Sequence, residues 1–338
     1  MIKKDYKKVL SIIVPSYNVE RYLEQTLQSF VAQSLLDKIE VLIVDDGSKD
    51  GTADIGQRYE AKYPASFRLI SKENGGHGST INTGIQECCG AYFKVVDGDD
   101  WVITENLIKL VDKLETCSGD YVVTDYTEVY EDTKEKKRIS FPHLAREEKM
   151  PFDEAAKSYQ IGMHPLFIRS DILKNNNITL DEHCFYVDVE YILYPIPYVE
   201  TVQYIPLEIY QYRLARENQS VSISGYQKHM DNHIKVIYSL ADFASRYKAG
   251  GKEEKINYIG KRIAQMVGDQ VTIFLSFGEN DKEIKKRFIQ FDQKLLEKSP
   301  WIYRISGEES GTLRLLRKTG FRLYKSIVAN ARKRNDIA

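Results

Sequence analysis

"FKVVDGDDW", residues 93–101, decides how this chain is read. Residues 93–96 have the make-up of a buried strand, and they run straight into three carboxylates, Asp97, Asp99 and Asp100. Like charges this close raise one another's pKa and destabilise the chain unless a cation or water compensates. The pattern prompts a search of the other strand ends for ligand-like residues.

The flanking sequence alternates two periods. Residues 10–14 and 39–44 are continuous apolar runs rich in β-branched side chains, as expected of strands buried on both faces. Residues 67–70, 91–96 and 121–124 read as further strands. Helical spacing marks residues 19–33, 52–63, 79–88 and 104–117. Pro64 stops the second of these, Gly90 is expected to cap the third, and Thr104 to be the N-cap of the fourth. This alternation predicts an α/β fold, a Rossmann-like, mostly parallel central sheet with helices on both faces. The charge run at 131–138 reads as a solvated hairpin tip or loop. Residues 150–225 mix short helices and strands with many aromatics, and helical periodicity dominates from Tyr226. The predicted organisation is one domain over 1–225, made of a nucleotide-binding half (1–125) and an acceptor-side half (126–225), and then a helical C-terminal region over 226–338.

Composition narrows the function. The chain has 338 residues, 42% apolar and 29% charged, within the range of globular proteins. A formal net charge of −1 excludes a polyelectrolyte partner for the whole molecule, so no nucleic acid is expected. The 23 tyrosines suit stacking on sugar or base rings, and equally suit ordinary cores. Cys88, Cys89, Cys117 and Cys184 form no C-x-x-C pair, which fits reduced thiols in a cytoplasmic protein. The basic and then apolar start of the chain is too short in its apolar run for a signal peptide, and no run reaches transmembrane length. The expected location is cytoplasmic, with the inner face of the membrane as a peripheral site.

In open α/β sheets ligands bind beyond the carboxyl ends of the strands. After the first strand comes "PSYNVE" (15–20), after the second "DDGS" (45–48), after the third "KENGGHGS" (72–79) and after the fourth "DGDD" (97–100). Four polar clusters in register exceed what turn chemistry explains. A carboxylate can accept the N3–H of a uracil ring, and a tyrosine can stack on that ring. A glycine loop opening a helix lets backbone N–H groups approach a phosphate. Paired carboxylates beside a glycine suit Mg²⁺ or Mn²⁺ shared with diphosphate oxygens. The loop lacks the G-K-[ST] ending of a Walker motif, and the first strand lacks the dinucleotide fingerprint.

The segments "SIIVPSYNVERYLEQTL", "IEVLIVDDGSKDGT", "KENGGHGSTINTGI" and "YFKVVDGDDW", in this order across residues 10–102, resemble the motif set of family 2 glycosyltransferases, inverting nucleotide-sugar enzymes of the GT-A fold. The resemblance implies a UDP-sugar donor, a divalent cation (Mn²⁺ or Mg²⁺), and a glycan, glycolipid or glycoprotein acceptor of the kind found in bacterial surface glycan synthesis. Carried over by position, Pro15, Tyr17 and Glu20 would line the uridine pocket and Asp46 would bind the uracil. Gly75 and Gly76 would face the diphosphate, with His77 as either a donor contact or a loop residue. Asp97 and Asp99 would form the DXD motif, Asp97 near the ribose and Asp99 on the metal, with Asp100 in a supporting role. The arginine often found in the family's third motif is absent at "TIN" (80–82).

Inversion by single displacement needs one base to deprotonate the acceptor hydroxyl. The family places an Asp for this after the DXD segment, and Asp188 in "CFYVDVEYILYPI" holds the matching position, with Val187 where Glu is usual and Glu190 as competitor. "IYQYRLARENQSVS" resembles the family's closing segment, in which Arg213, or less strongly Arg216, would reach a donor phosphate. His164 and His183 are expected to shape the acceptor side or simply to pack. Residues 313–334 hold eight Lys or Arg and no acid. A helix here would gather Leu316, Leu323, Tyr324 and Ile327 opposite Arg314, Lys318, Arg322 and Lys325. Peripheral membrane contact and homo-oligomer formation through these C-terminal helices both remain open. Two other functions also remain open: a catalytically degenerate nucleotide-sugar or glycan-binding module, and a sugar-1-phosphate nucleotidyltransferase, whose glycine-rich N-terminal loop "PSYNVE" does not match.

Overall fold

The computed structural model describes residues 6–144, 148–157, 159–214 and 222–334. The chain divides into two compact units, Met1–Glu217 and Asn218–Ala338.

The first unit is built on a ten-stranded sheet: β1 (Lys8–Ser16), β2 (Ile39–Asp45), β3 (Phe67–Ser71), β4 (Gly90–Val95), β5 (Trp101–Val102), β6 (Tyr121–Tyr130), β7 (Lys136–Ile139), β8 (Met150–Pro151), β9 (Leu166–Arg169) and β10 (Thr201–Leu214). Their order is β3-β2-β1-β4-β9-β6-β10-β5, with β7 on β6 and β8 on β10. The β3-β2-β1-β4 part is parallel throughout. β1 and β2 are almost wholly buried, as their unbroken apolar runs predict. Beyond β4 the sheet is mixed, because β9 inserts antiparallel between β4 and β6 while β6 and β10 run parallel. The charge run at 131–138 is the tip and return of the β6–β7 hairpin.

The helices of this unit are α1 (Glu20–Gln28), α2 (Gln33–Leu36), α3 (Thr52–Lys62), α4 (His77–Glu87), α5 (Thr104–Leu114), α6 (Phe152–Ala155), α7 (Ser170–Asn175) and α8 (Asp188–Leu193). Leu23 and Leu27 of α1, Tyr59 of α3, and Leu107, Leu110 and Val111 of α5 pack with Ile12, Val14, Val41 and Ile43 in one hydrophobic core.

Three local expectations need correction. The helix expected over 19–33 breaks after Gln28. The Ser29 Oγ donates to the Thr26 carbonyl (2.6 Å) and accepts from the Val102 N–H (3.2 Å), which ties this corner to β5. Thr104 is not an N-cap, since Ile103 holds that position and the Thr104 hydroxyl donates to the Ser29 carbonyl (2.8 Å). Gly90 does not cap α4, because the helix ends at Glu87 with Cys88 as its C-cap, and Gly90 is already in β4.

The second unit is helical: α9 (Ile223–Lys228), α10 (Met230–Lys248), α11 (Glu253–Ser276), α12 (Lys282–Lys298), α13 (Pro300–Glu309), α14 (Gly311–Lys318) and α15 (Tyr324–Arg334). Its core includes Val267, Phe274, Phe288, Leu295 and Tyr324. The continuous helix expected over 313–334 is broken. Gly320 and Phe321 both take positive φ (55° and 58°), which separates α14 from α15. Leu316 and Tyr324 are buried as expected, but the break turns Leu323 outward, 40% exposed. Among the described residues no helix is long and apolar enough to cross a membrane.

Candidate active site

The loops after β1, β2, β3 and β4 meet at one edge of the sheet. The first two are laced together. Asn18, in the left-handed region (φ 52°), accepts from the Lys49 N–H at its Oδ1 (2.8 Å), and its own N–H donates to the Ser48 Oγ (3.0 Å). The Glu20 carboxylate accepts from the Gly51 N–H at the start of α3. Pro15 is buried, and its carbonyl accepts from the Gly98 N–H (3.1 Å), joining the first loop to the acidic turn. Tyr17 stands out at 51% exposure. With Asp45, Lys49, Lys72, Glu73 and Asn74 it lines a cleft of about 540 Å³.

Asp46 faces inward. Its Oδ1 accepts from the Gly75 N–H (2.9 Å) and the Lys72 Nζ (3.0 Å), and its Oδ2 from the Gly76 N–H (2.7 Å). This carboxylate shapes the glycine loop, while its neighbour Asp45 lines the cleft together with Glu73. Gly76 takes φ 83°, a conformation costly for any residue with a Cβ, and so lets the loop double back onto Asp46.

The opening stretch now has its surroundings. The Asp97 Oδ1 contacts the His77 Nε2 at 2.9 Å. Burial works against a proton on that ring. Asp97 first, then Asp188 and Asp99, outweigh it and raise the His77 pKa above its ordinary 6.5. The ring keeps 29% of its side-chain surface, so the burial penalty is partial. Asp188, the first residue of α8 and about ninety positions downstream of Asp97, therefore acts on the same histidine as the DXD carboxylates. Val187, not Asp188, holds the N-cap position of that helix. Glu190 is fully buried. Its Oε2 accepts from the Asp181 N–H (2.8 Å) and its Oε1 from the Tyr194 hydroxyl (3.0 Å), so both oxygens brace the surrounding chain.

Asp100 is 1% exposed and locks the turn. Its Oδ2 accepts from the Tyr210 hydroxyl (2.5 Å) and its Oδ1 from the Arg213 N–H (2.7 Å). Burial, followed by the Asp99 and Asp97 charges, raises its pKa well above the usual carboxylate range. Arg213 lies against the same turn. Its Nε donates to the Asp99 carbonyl (2.8 Å), its Nη2 to the Gln25 Oε1 (2.8 Å), and the guanidinium rests 4.8 Å from the Tyr22 ring and 4.7 Å from that of Trp101. Arg216 lies outside the described residues.

Two groups beneath the acids carried no motif. Lys94, 1% exposed in β4, donates through its Nζ to the carbonyls of Met163 (3.1 Å), His164 and Leu166 (3.2 Å), and sits over the rings of Phe167 and Tyr210. Burial pushes its pKa down to about 7, opposed by Asp97 and Asp100. Three carbonyl acceptors need three N–H donors, which only the ammonium has, so the cradle favours the charged form. His164 is stacked on Tyr212 (4.0 Å) and Tyr126 (5.5 Å). Ligand atoms of Asp97, Asp100 and His164 lie within 4.8 Å of one another, the one such set among the described residues. Two carboxylates and an imidazole suit Mn²⁺.

The model of "Glycosyl transferase family 2" matches residues 11–184. The chain belongs to this family. The family 2 enzyme is 29% identical over 295 residues to the uncharacterized glycosyltransferase EpsJ of Bacillus subtilis, with 83% of each chain covered. It is 35% identical over 124 residues to the putative glycosyltransferase EpsH of the same organism, covering 37% of this chain and 35% of that one. Among solved structures, TarS of S. aureus in complex with UDP-GlcNAc superposes with a TM-score of 0.65 at 18% identity, covering 96% of this chain and 92% of that chain. A mannosyltransferase from Pyrobaculum calidifontis in complex with GDP-Man and Mn²⁺ superposes with a TM-score of 0.51 at 16% identity, covering 99% and 89%. These likenesses establish the GT-A type of fold, and with the family match they make the protein a glycosyltransferase.

Proposed function

We propose that the protein transfers a sugar from a UDP-sugar to a hydroxyl of a glycan, glycolipid or glycoprotein, with inversion at the anomeric carbon. What supports this most is the convergence on His77 of Asp97, Asp99 and Asp188. In this reading Tyr17 and Asp45 border the uridine, and the N–H groups of the glycine loop and the start of α4 favour the diphosphate. Asp97 and Asp99, with Asp100 and His164 behind them, would hold a divalent cation. When bound, that cation supplies positive charge against the developing charge of the leaving diphosphate. Asp188 accepts the proton of the acceptor hydroxyl as its oxygen attacks, so one displacement completes the transfer.

The nucleotide is tested by a melting-temperature screen of UDP-, GDP- and dTDP-sugars with and without Mn²⁺. A ligand bound to the native state raises the transition. The expected result is the largest shift with a UDP-sugar, dependent on Mn²⁺. A larger shift with GDP- or dTDP-sugars overturns the uridine assignment.

A further inference from the structure

We infer that Asn82 is a positioning residue that clasps the donor-loop helix to the segment carrying the catalytic base. The inference rests on the reading of Asp188 as that base. Asn82 lies in α4, the helix opened by the glycine loop, and is 7% exposed. Its Nδ2 donates to the Leu180 carbonyl (3.0 Å), and its Oδ1 accepts from the Leu180 N–H (2.8 Å). A side-chain amide that bonds both the N–H and the carbonyl of one residue fixes that residue's position much as a strand partner would. The same Nδ2 lies 3.2 Å from the Glu182 Oε1.

Two further contacts close the joint. The His183 N–H donates to the Gly75 carbonyl (2.5 Å). A methyl group on Gly78 would lie 2.1 Å from the Asp181 carbonyl oxygen, so the first turn of α4 touches this backbone directly. On its other side the segment is held by Glu190, whose carboxylate accepts from the Asp181 N–H (2.8 Å) and which sits two residues after Asp188 in α8. His183 and Tyr186 both take positive φ (52° and 68°), a cost that persists only where surrounding contacts fix the chain. The chain of contacts runs from the glycine loop through Asn82 and Leu180–Asp181 to Glu190 and the helix of Asp188. Asn82 touches no reacting atom in this account; it sets where the base stands relative to the donor loop.

The test uses the full chain. In Asn82→Ala, hydrogen exchange without ligand is expected to quicken in residues 180–184 and across α8. Transfer should fall at least tenfold while the affinity for UDP with Mn²⁺ stays within threefold, and the ratio of donor hydrolysis to transfer should rise. A merely structural role would lower hydrolysis and transfer together. Unchanged exchange in α8, or an unchanged hydrolysis-to-transfer ratio, overturns the proposal. Gly78→Ala pries the same joint from the other side and decides the matter if Asn82→Ala does not fold. In the wild-type chain, UDP with Mn²⁺ at a concentration that raises Tm should slow exchange at 180–184. A rise in Tm without slowing sinks the clasp, whereas no rise in Tm sinks the donor reading instead. Asp188→Asn run alongside separates the two further, since full transfer there refutes the base and leaves the exchange measurements to judge Asn82.

Discussion

Asp188→Asn keeps the size of the side chain and removes its basicity. Transfer should fall by about 10²–10⁴-fold, the usual contribution of a positioned base, with UDP affinity in the presence of Mn²⁺ unchanged by calorimetry. Full transfer would remove Asp188 from the mechanism. Tyr210→Phe deletes the hydroxyl that serves the buried Asp100 carboxylate. Leaving such a group short of a partner should cost about 1–3 kcal/mol in urea unfolding. His233 carries a pH effect. It is 3% exposed and its Nδ1 is 2.9 Å from the Gln270 Oε1. Burial lowers its pKa from 6.5 to about 4, although the Gln270 bond opposes this. The unfolded chain therefore takes up a proton near pH 6.5 and the folded chain only near 4. Stability should fall as pH drops through this window, by up to about 1.4 kcal/mol per pH unit. His164, lowered to about 4 by burial, adds in the same direction. Urea midpoints between pH 7 and 4 check the slope, and His233→Gln should flatten it.

At the scale of elements, the parallel strands could be read from sequence because β1 and β2 are buried on both faces and so carry unbroken apolar runs. The break after α1 and the kink between α14 and α15 could not. The first depends on the Ser29 bond to β5, which lies some seventy residues away, and the second on two consecutive residues in the left-handed region, one of them a phenylalanine. The site divides the same way. Asp97, Asp188 and the glycine loop carry motif signatures. Asn82, Lys94 and His164 act through backbone atoms or rings that only the fold brings near, and Asn18 gave at most the weak signal of an Asn in a turn. α4 packs closely on β1, since a methyl on Gly84 would lie 2.4 Å from the Ile13 Cγ1. Gly84→Ala should cost about 1–3 kcal/mol by overpacking. Around the kink, Arg314, Lys318, Arg322 and Lys325 are exposed beside Leu315 and Leu323. A symmetric dimer through this face would oppose like charges, whereas an anionic bilayer gains about 1 kcal/mol per basic residue near it. The expected outcome is co-sedimentation with phosphatidylglycerol vesicles that weakens with salt and is lost in Leu315→Glu/Leu323→Glu. Concentration-dependent self-association without vesicle binding would favour the homo-oligomer.

For the whole molecule, a net charge of −1 conceals a strong local division, with acids gathered at the strand ends and bases along the C-terminal residues. All the donor-side residues named above, from Pro15 to Arg213, lie in Met1–Glu217. Residues 1–217 alone should therefore bind UDP with Mn²⁺ within about threefold of the full chain, less than 1 kcal/mol. A much weaker affinity in a folded fragment would mean that the helical unit contributes to the donor site. The three-carbonyl cradle of Lys94 has a consequence of another kind. Reductive methylation needs a path for the reagent to the amine, and this side chain, 1% exposed, offers none. In folded protein Lys94 should survive a treatment that modifies the surface lysines. Trypsin, which does not cut at dimethyl-lysine, would then cleave after residue 94 in material that was native when treated and spare that bond in material that was not, so a single peptide reports whether the sheet was intact.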